Sequence, residues 1–245
     1  MGRGVSPRVR LAVVMKATEA GTSQPKRAGR PRLRPASNAG VPPREEILDA
    51  AAELFAAHGL AATTTRQIAE RVGIRQASLY HYFGGKDEIL LELLTLSVRP
   101  SLQVAASLEA RCADFPAAGL YALALTDAAT LTRAPHNIGT LYLLPEVQGE
   151  QYATFRDDRA KLQATYGRLG RAAGSSLGED LAAALIMQVV ESVIHLRRTG
   201  AWHGAYADQI AASCLRLVGH DEAGIARARA AAEGLIAGCP APPDR

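Results

Sequence analysis

Cysteine is scarce in this chain: Cys112, Cys214 and Cys239 are the only three in 245 residues, an odd number set far apart. That usage excludes a disulfide framework, gives no zinc-ligand spacing, and fits a reducing cytoplasm. Long apolar runs are also missing. Leu11 to Met15 is too short for the apolar region of a signal peptide, and no stretch approaches the roughly 20 apolar residues of a membrane-spanning helix. No strand-like alternation appears. Nor is there a GxSxG nucleophile elbow, an HExxH pair, or a phosphate loop with its lysine. Gly167, Gly170 and Gly174 lie at the end of a helical pattern with no strand before them, so they read as a helix break. His136, His195, His203 and His220 lack metal-ligand spacing. Neither a catalytic centre, a metal nor a cofactor is expected.

What the chain does have is helical periodicity. Ile47, Ala50, Ala51, Leu54 and Phe55 form one apolar stripe that ends at His58 and Gly59. Thr64 followed by Gln67 is a capping box, which predicts a helix from Thr65 with Ile68, Ala69 and Val72 on its buried side. Gly73, just past the last periodic residue, suits the left-handed backbone that stops a helix, and Ile74 plugs the corner. A second helix is predicted from near Arg75, anchored by Leu79 and Phe83 and ended by Gly84 and Gly85. Lys86 then opens another carrying Ile89, Leu90 and Leu93. Two short helices across a tight glycine turn, braced by a third, have the geometry for setting a row of side chains into a DNA groove.

The ILDAAAELFAAHG helix, the TTTRQIAERVGI helix with its turn, and LYHYFGGKDEIL together resemble the N-terminal domain of the tetracycline-repressor (TetR) family of bacterial regulators. The resemblance covers Arg44 to Leu94, about a fifth of the chain. It implies an all-α fold: a three-helix helix-turn-helix domain at 44–98, then a larger helical effector-binding and dimerisation domain at 99–238. It also implies a homodimeric regulator, most often a repressor, that leaves a palindromic DNA operator when a small-molecule effector binds.

Site roles follow residue by residue. The resemblance puts Thr65 and Arg66 at a phosphate or base edge, Gln76 and Ser78 at an adenine edge and a neighbouring base or phosphate, Tyr80 and Tyr82 at phosphate or sugar with His81 beside them, and Lys86 as a clamp on the DNA backbone. Arg75 departs from the family, which often has a capping Ser there; it weakens the cap but supplies a cation for guanine. Tyr80 and Tyr82 have the alternative of packing the small core, and Arg66 and Lys86 that of ordinary solvated charges.

Charge is unevenly placed. Through Arg44, ten Lys or Arg stand against one acid, Glu19, so with a whole-chain net charge of +4 everything beyond is net acidic. An arm of this kind, expected to be disordered over 1–43, binds polyanions by releasing counterions. Within it KRAGRPRLR, with Arg27, Arg30 and Arg32, resembles an AT-hook, an element that lays arginine into a narrow A·T-rich minor groove. A basic tail without sequence preference is the alternative.

Past Leu94 the pattern stays helical, punctuated by Pro100, Pro116, Pro135 and Pro145. Helices are expected over 151–173, 181–198 and 206–218, the last two being the pair that the resemblance assigns to a four-helix dimer interface. The alternative for both is the core of their own domain. The tail from Cys239 is expected to be disordered. Effector contacts fall to polar or aromatic groups on apolar helices: Tyr121, Thr126, Arg133, His136, Tyr142, Tyr166, Gln188, Glu191 and His195. Two other functions fit part of the pattern. An architectural DNA binder would use the basic arm alone, and an enzyme would carry the helix-turn-helix as an appendage.

Overall fold

The computed structural model describes residues 43–238. The basic arm with Arg27, Arg30 and Arg32, and the tail from Cys239, lie outside the described residues. Among the described residues there are α-helices and short 3-10 turns but no strand. The first three helices are α1 (Pro43–His58), α2 (Thr65–Val72) and α3 (Gln76–Leu79). The capping box is present: the Thr64 side chain accepts from the Gln67 amide, and the Gln67 side chain accepts from the Thr64 N–H. Gly73 closes α2 at φ 78°, and the Ile74 N–H reaches back to the Ala69 carbonyl. Ile47, Ala51, Phe55, Ile68, Leu79 and Phe83 are buried together with Ile89 and Leu90 in one core.

One expectation is corrected here. The helix from Arg75 does not reach Phe83: α3 is four residues long, and Tyr80 to Tyr82 form a turn. Its N-cap, Arg75, makes no side-chain cap hydrogen bond, so a first-turn donor loses the partner that a Ser would give it.

α4 (Lys86–Arg111) then runs without interruption through residues 98 and 99. Pro100 sits inside this helix rather than ending it. Proline removes one helical donor, yet Val98, Ser101, Val104, Ala105 and Leu108 are all buried around it, so packing holds the helix straight through. α4 is also long and apolar enough to cross a membrane, the only described helix that is, which corrects the expectation that none would be. Its apolar side is the one packed into the core.

The remaining helices are α5 (Pro116–Arg133), α6 (Ala153–Ala172), α7 (Glu179–Arg198), α8 (Tyr206–Leu217) and α9 (Glu222–Ala237), with 3-10 turns between 138 and 152. α5 is buried nearly all round, from Ala117 through Ala124 and again at Asp127, Ala128 and Leu131. It is the central rod, contacted by α4, α6, α7, α8 and α9. α6 and α7 form a tightly packed hairpin. Gly167 and Gly170 do not break α6; a Cβ on Gly167 would lie 3.0 Å from the Glu179 carbonyl oxygen, and one on Gly170 would lie 2.8 Å from Ile186. These glycines let two helices approach closely, while Gly174, at φ 100°, marks the true end.

Candidate nucleic-acid interface and buried polar cavity

The turn from α2 into α3 gathers most of the residues expected to meet DNA on one solvent-facing surface. Arg66, Arg75, Gln76 and His81 are exposed, Thr65 and Ser78 half so. Tyr80 and Tyr82 are 49% and 40% exposed, so neither packs the small core. Three of these side chains are already joined. The Gln76 amide donates to the Thr65 hydroxyl at 2.9 Å and reaches the Tyr80 hydroxyl at 3.4 Å, and the two hydroxyls lie 3.1 Å apart. Arg66 pairs with Glu70 one turn on, both well exposed, a contact worth little.

Lys86, expected as a clamp on the DNA backbone, also has partners within the protein. Its ammonium is part-buried and donates to the carbonyls of Leu60 (2.9 Å) and Thr63 (3.3 Å). It ties the α1–α2 turn to the start of α4, satisfying carbonyls that no helix uses. Lys86→Met is therefore expected to destabilise the protein by about 1.5–3 kcal/mol, the worth of a charged hydrogen bond. The slope of DNA affinity against salt should stay unchanged. Chemical denaturation and a salt titration check the two halves separately; a flattened slope with unchanged stability would restore the phosphate role.

The residues expected to bind an effector do not all converge. Tyr142 and Glu191, with Tyr166 behind Asp127, meet around a small, partly open void of about 10 Å³ lined also by Ser97, Val98, Asp127, Leu131, Arg159, Leu162 and Met187. Asp127 is 5% exposed and accepts from Ser101 (2.6 Å) and Tyr166 (2.9 Å). Burial pushes its carboxyl up to about 6, the two hydroxyls and Arg159 pulling back against it. Glu191 holds Arg159 with both oxygens at 2.6 Å. The Arg159 guanidinium also lies 5.7 Å from the Tyr142 ring centre, and the Tyr142 hydroxyl meets Ser97 of α4 at 2.8 Å.

The others are elsewhere. Tyr121 is buried between α5, α8 and α9, bonded to Asp208 and Arg229. Thr126 bonds its own helix at the Ala122 carbonyl, Arg133 is exposed, and His136 faces Asp49 of α1 at 3.5 Å. Gln188 and His195 lie on the outward side of α7. A larger open groove of about 430 Å³ runs along α4 beside Arg44, Glu92 and Arg99, and no expected effector residue lines it. Asp127 and Arg159 were not among the expected residues, although a lone acid in the apolar run of α5 is a visible signal.

The sequence profile of the bacterial regulatory proteins of the tetR family matches residues 47–93. The crystal structure of AmtR from Mycobacterium smegmatis is 40% identical, with the alignment covering 82% of this chain and 98% of that one at a TM-score of 0.74. This chain belongs to the TetR family. Within that TetR family, the transcriptional repressor KstR2 of Mycobacterium tuberculosis is 53% identical over 51 residues, 21% of this chain. The matched stretch spans only about a quarter, 26%, of that repressor's length. The KstR2 structure superposes at a TM-score of 0.61 with 23% identity, a likeness of fold alone. The TetR-type helix-turn-helix is thus α2, its turn and α3, with α1 and α4 as supports.

Proposed function

We propose that the chain is a homodimeric transcriptional repressor, working on the nucleoid in the cytoplasm, that binds a palindromic operator and is released by a small-molecule effector. The observation that carries the DNA-binding half is the solvent-facing Thr65–Gln76–Tyr80 cluster, three groups able to hydrogen-bond base edges and phosphates, presented where the start of α2 meets the two ends of the TetR-type recognition helix α3. Homodimerisation is supported by α7. Leu181 and Leu185 stand 52% and 37% exposed on its outward side, next to Gln188. α8 contributes less than its sequence pattern implies, because Ile210, Ala211, Cys214 and Leu215 are turned inward against its own chain. Two heads reading a palindrome from one side must be about 34–36 Å apart.

The effector reading rests on the polar cavity and on its links to the DNA-reading end. Tyr142 lines the void and meets α4 at Ser97, while the neighbouring Tyr152 donates to Asp87 at the start of α4 at 2.8 Å. A ligand that opens the void must therefore displace groups anchored on the helix that supports the reading head. Near-complete switching requires about 10⁴-fold preference of the ligand for the DNA-incompetent state.

Footprinting on the DNA upstream of its own gene tests the function directly. Protection of a discrete inverted repeat is expected; diffuse A·T-rich protection would point to an architectural role of the basic arm instead. Gln76→Ala is expected to relax base preference at one position in each half-site, at a cost of about 1–3 kcal/mol of discrimination. Binding to a library of operator variants reads this out, and equal losses on operator and random DNA would remove Gln76 from base recognition.

A further inference from the structure

The cavity beneath Tyr142 has an uneven charge. Two carboxylates face it, Asp127 from α5 and Glu191 from α7, but one cation, Arg159 from α6, and that cation is bound to Glu191 alone. Asp127 receives only the hydroxyls of Ser101 and Tyr166. Hydroxyls stabilise a carboxylate, but they do not cancel its charge, and a buried charge without a counter-ion carries a large desolvation cost. The wall opposite is Tyr142, whose ring already has a guanidinium 5.7 Å from its centre, the geometry in which an aromatic face attracts organic cations.

We propose that this cavity takes an effector whose head group is a compact organic cation, an amine or amidine, seated between Asp127 and Tyr142 beside the Arg159–Glu191 pair. This rests on the reading of the helical domain as effector-binding. The ligand supplies the missing positive charge: Asp127 accepts its N–H groups and Tyr142 provides the aromatic wall. Leu131, Leu162 and Met187 supply apolar surface for the rest of the molecule. An anionic effector would meet two carboxylates and is excluded by the same arrangement. The void of about 10 Å³ holds at most a water, so entry must separate Ser97 and Val98 of α4 from the facing helices. Binding and movement of α4 are one event.

The test uses the full-length protein and three probes of similar size on one phenyl ring: benzamidinium, benzoate and benzyl alcohol. Titration calorimetry at pH 7.5 is expected to show benzamidinium binding at least about tenfold more tightly than the alcohol, equivalent to about 1.4 kcal/mol, and benzoate not at all. Asp127→Asn, which keeps the shape and one acceptor oxygen while its NH2 donates to the second hydroxyl, should erase that preference while leaving the alcohol unchanged. Glu191→Gln serves as the second variant should the first fail to fold, and it should reduce the preference in the same direction. Equal affinity for cation and alcohol, binding of benzoate, or an undiminished preference in the variants would overturn the proposal, as would failure of all three probes to bind. Footprinting without any probe is measured alongside: an intact operator footprint with no cation binding rejects the ligand class and leaves the regulator reading standing.

Discussion

Glu at both Leu181 and Leu185 is expected to convert a dimer into a folded monomer that binds its operator weakly. Both side chains are exposed on α7, so the substitutions leave the core of the single chain untouched. In a two-fold interface each substitution occurs twice and faces its own copy or a near neighbour, so four carboxylates would have to be buried without partners. Losing the second reading head removes the effective-concentration gain of a linked pair, on the order of 10²–10⁴ in affinity. Sedimentation equilibrium and fluorescence anisotropy on a palindromic duplex measure the two effects. A variant that still sediments as a dimer would move the interface away from α7.

Arg159→Met is expected to cost about 1.5–3 kcal/mol, the worth of charge-assisted hydrogen bonds, because the Arg159–Glu191 pair is part-buried rather than sealed from water. Glu191 would lose both its close contacts, and Asp127 the one cation that faces it. The surroundings of Asp127 also give a pH dependence. It is faced by Ser101 of α4, Tyr166 and Arg159 of α6, Glu191 of α7 and Cys214 of α8, and burial is the largest influence, raising its carboxyl from 3.8 to about 6. Because the folded protein holds this proton more tightly than the unfolded chain does, the group favours folding most at low pH. Its contribution is lost as pH rises through about 6. Asp127→Asn should therefore raise the melting temperature at pH 7.5, by the equivalent of about 2–3 kcal/mol at most, with less gain at pH 5. Thermal melts across that range check it; a gain that grows toward low pH would contradict the assignment.

Local signals in the sequence were legible where a few adjacent residues decide the backbone. Thr64 with Gln67, Gly73 and the stripe of Ile68 and Ala69 define α2 to the residue, since capping and periodicity act within one or two turns. The TetR-type, all-helical fold followed from the same segment. What could not be read depends on neighbours distant in sequence. Pro100 looks like a breaker until Ser101 and Val104 are packed against α5 and α6. Gly167 and Gly170 look like a break until α7 lies against them. α9 escaped the periodicity because its buried positions, Gly224, Ala228 and Ala232 beside Ile225, are mostly small. The cavity was half legible: Tyr142 and Glu191 stand out as polar groups on apolar elements, whereas Arg159 sits on a helix full of surface charges and is singled out only by the partner it meets. Lys86 shows the opposite case, a motif residue whose immediate contacts turn out to be backbone carbonyls.

The hydrogen bonds joining Gln76 to Thr65 and Tyr80 mean that the reading head is never empty-handed. To contact a base, the Gln76 amide must exchange a satisfied intramolecular partner for one in the groove. Every base pair offered to it is thus compared with an internal competitor as well as with water. A base edge that matches the amide poorly fails that comparison, and the side chain folds back onto Thr65 at no cost in unpaired groups. Discrimination against wrong sequences is then set partly by the strength of a contact the protein makes with itself.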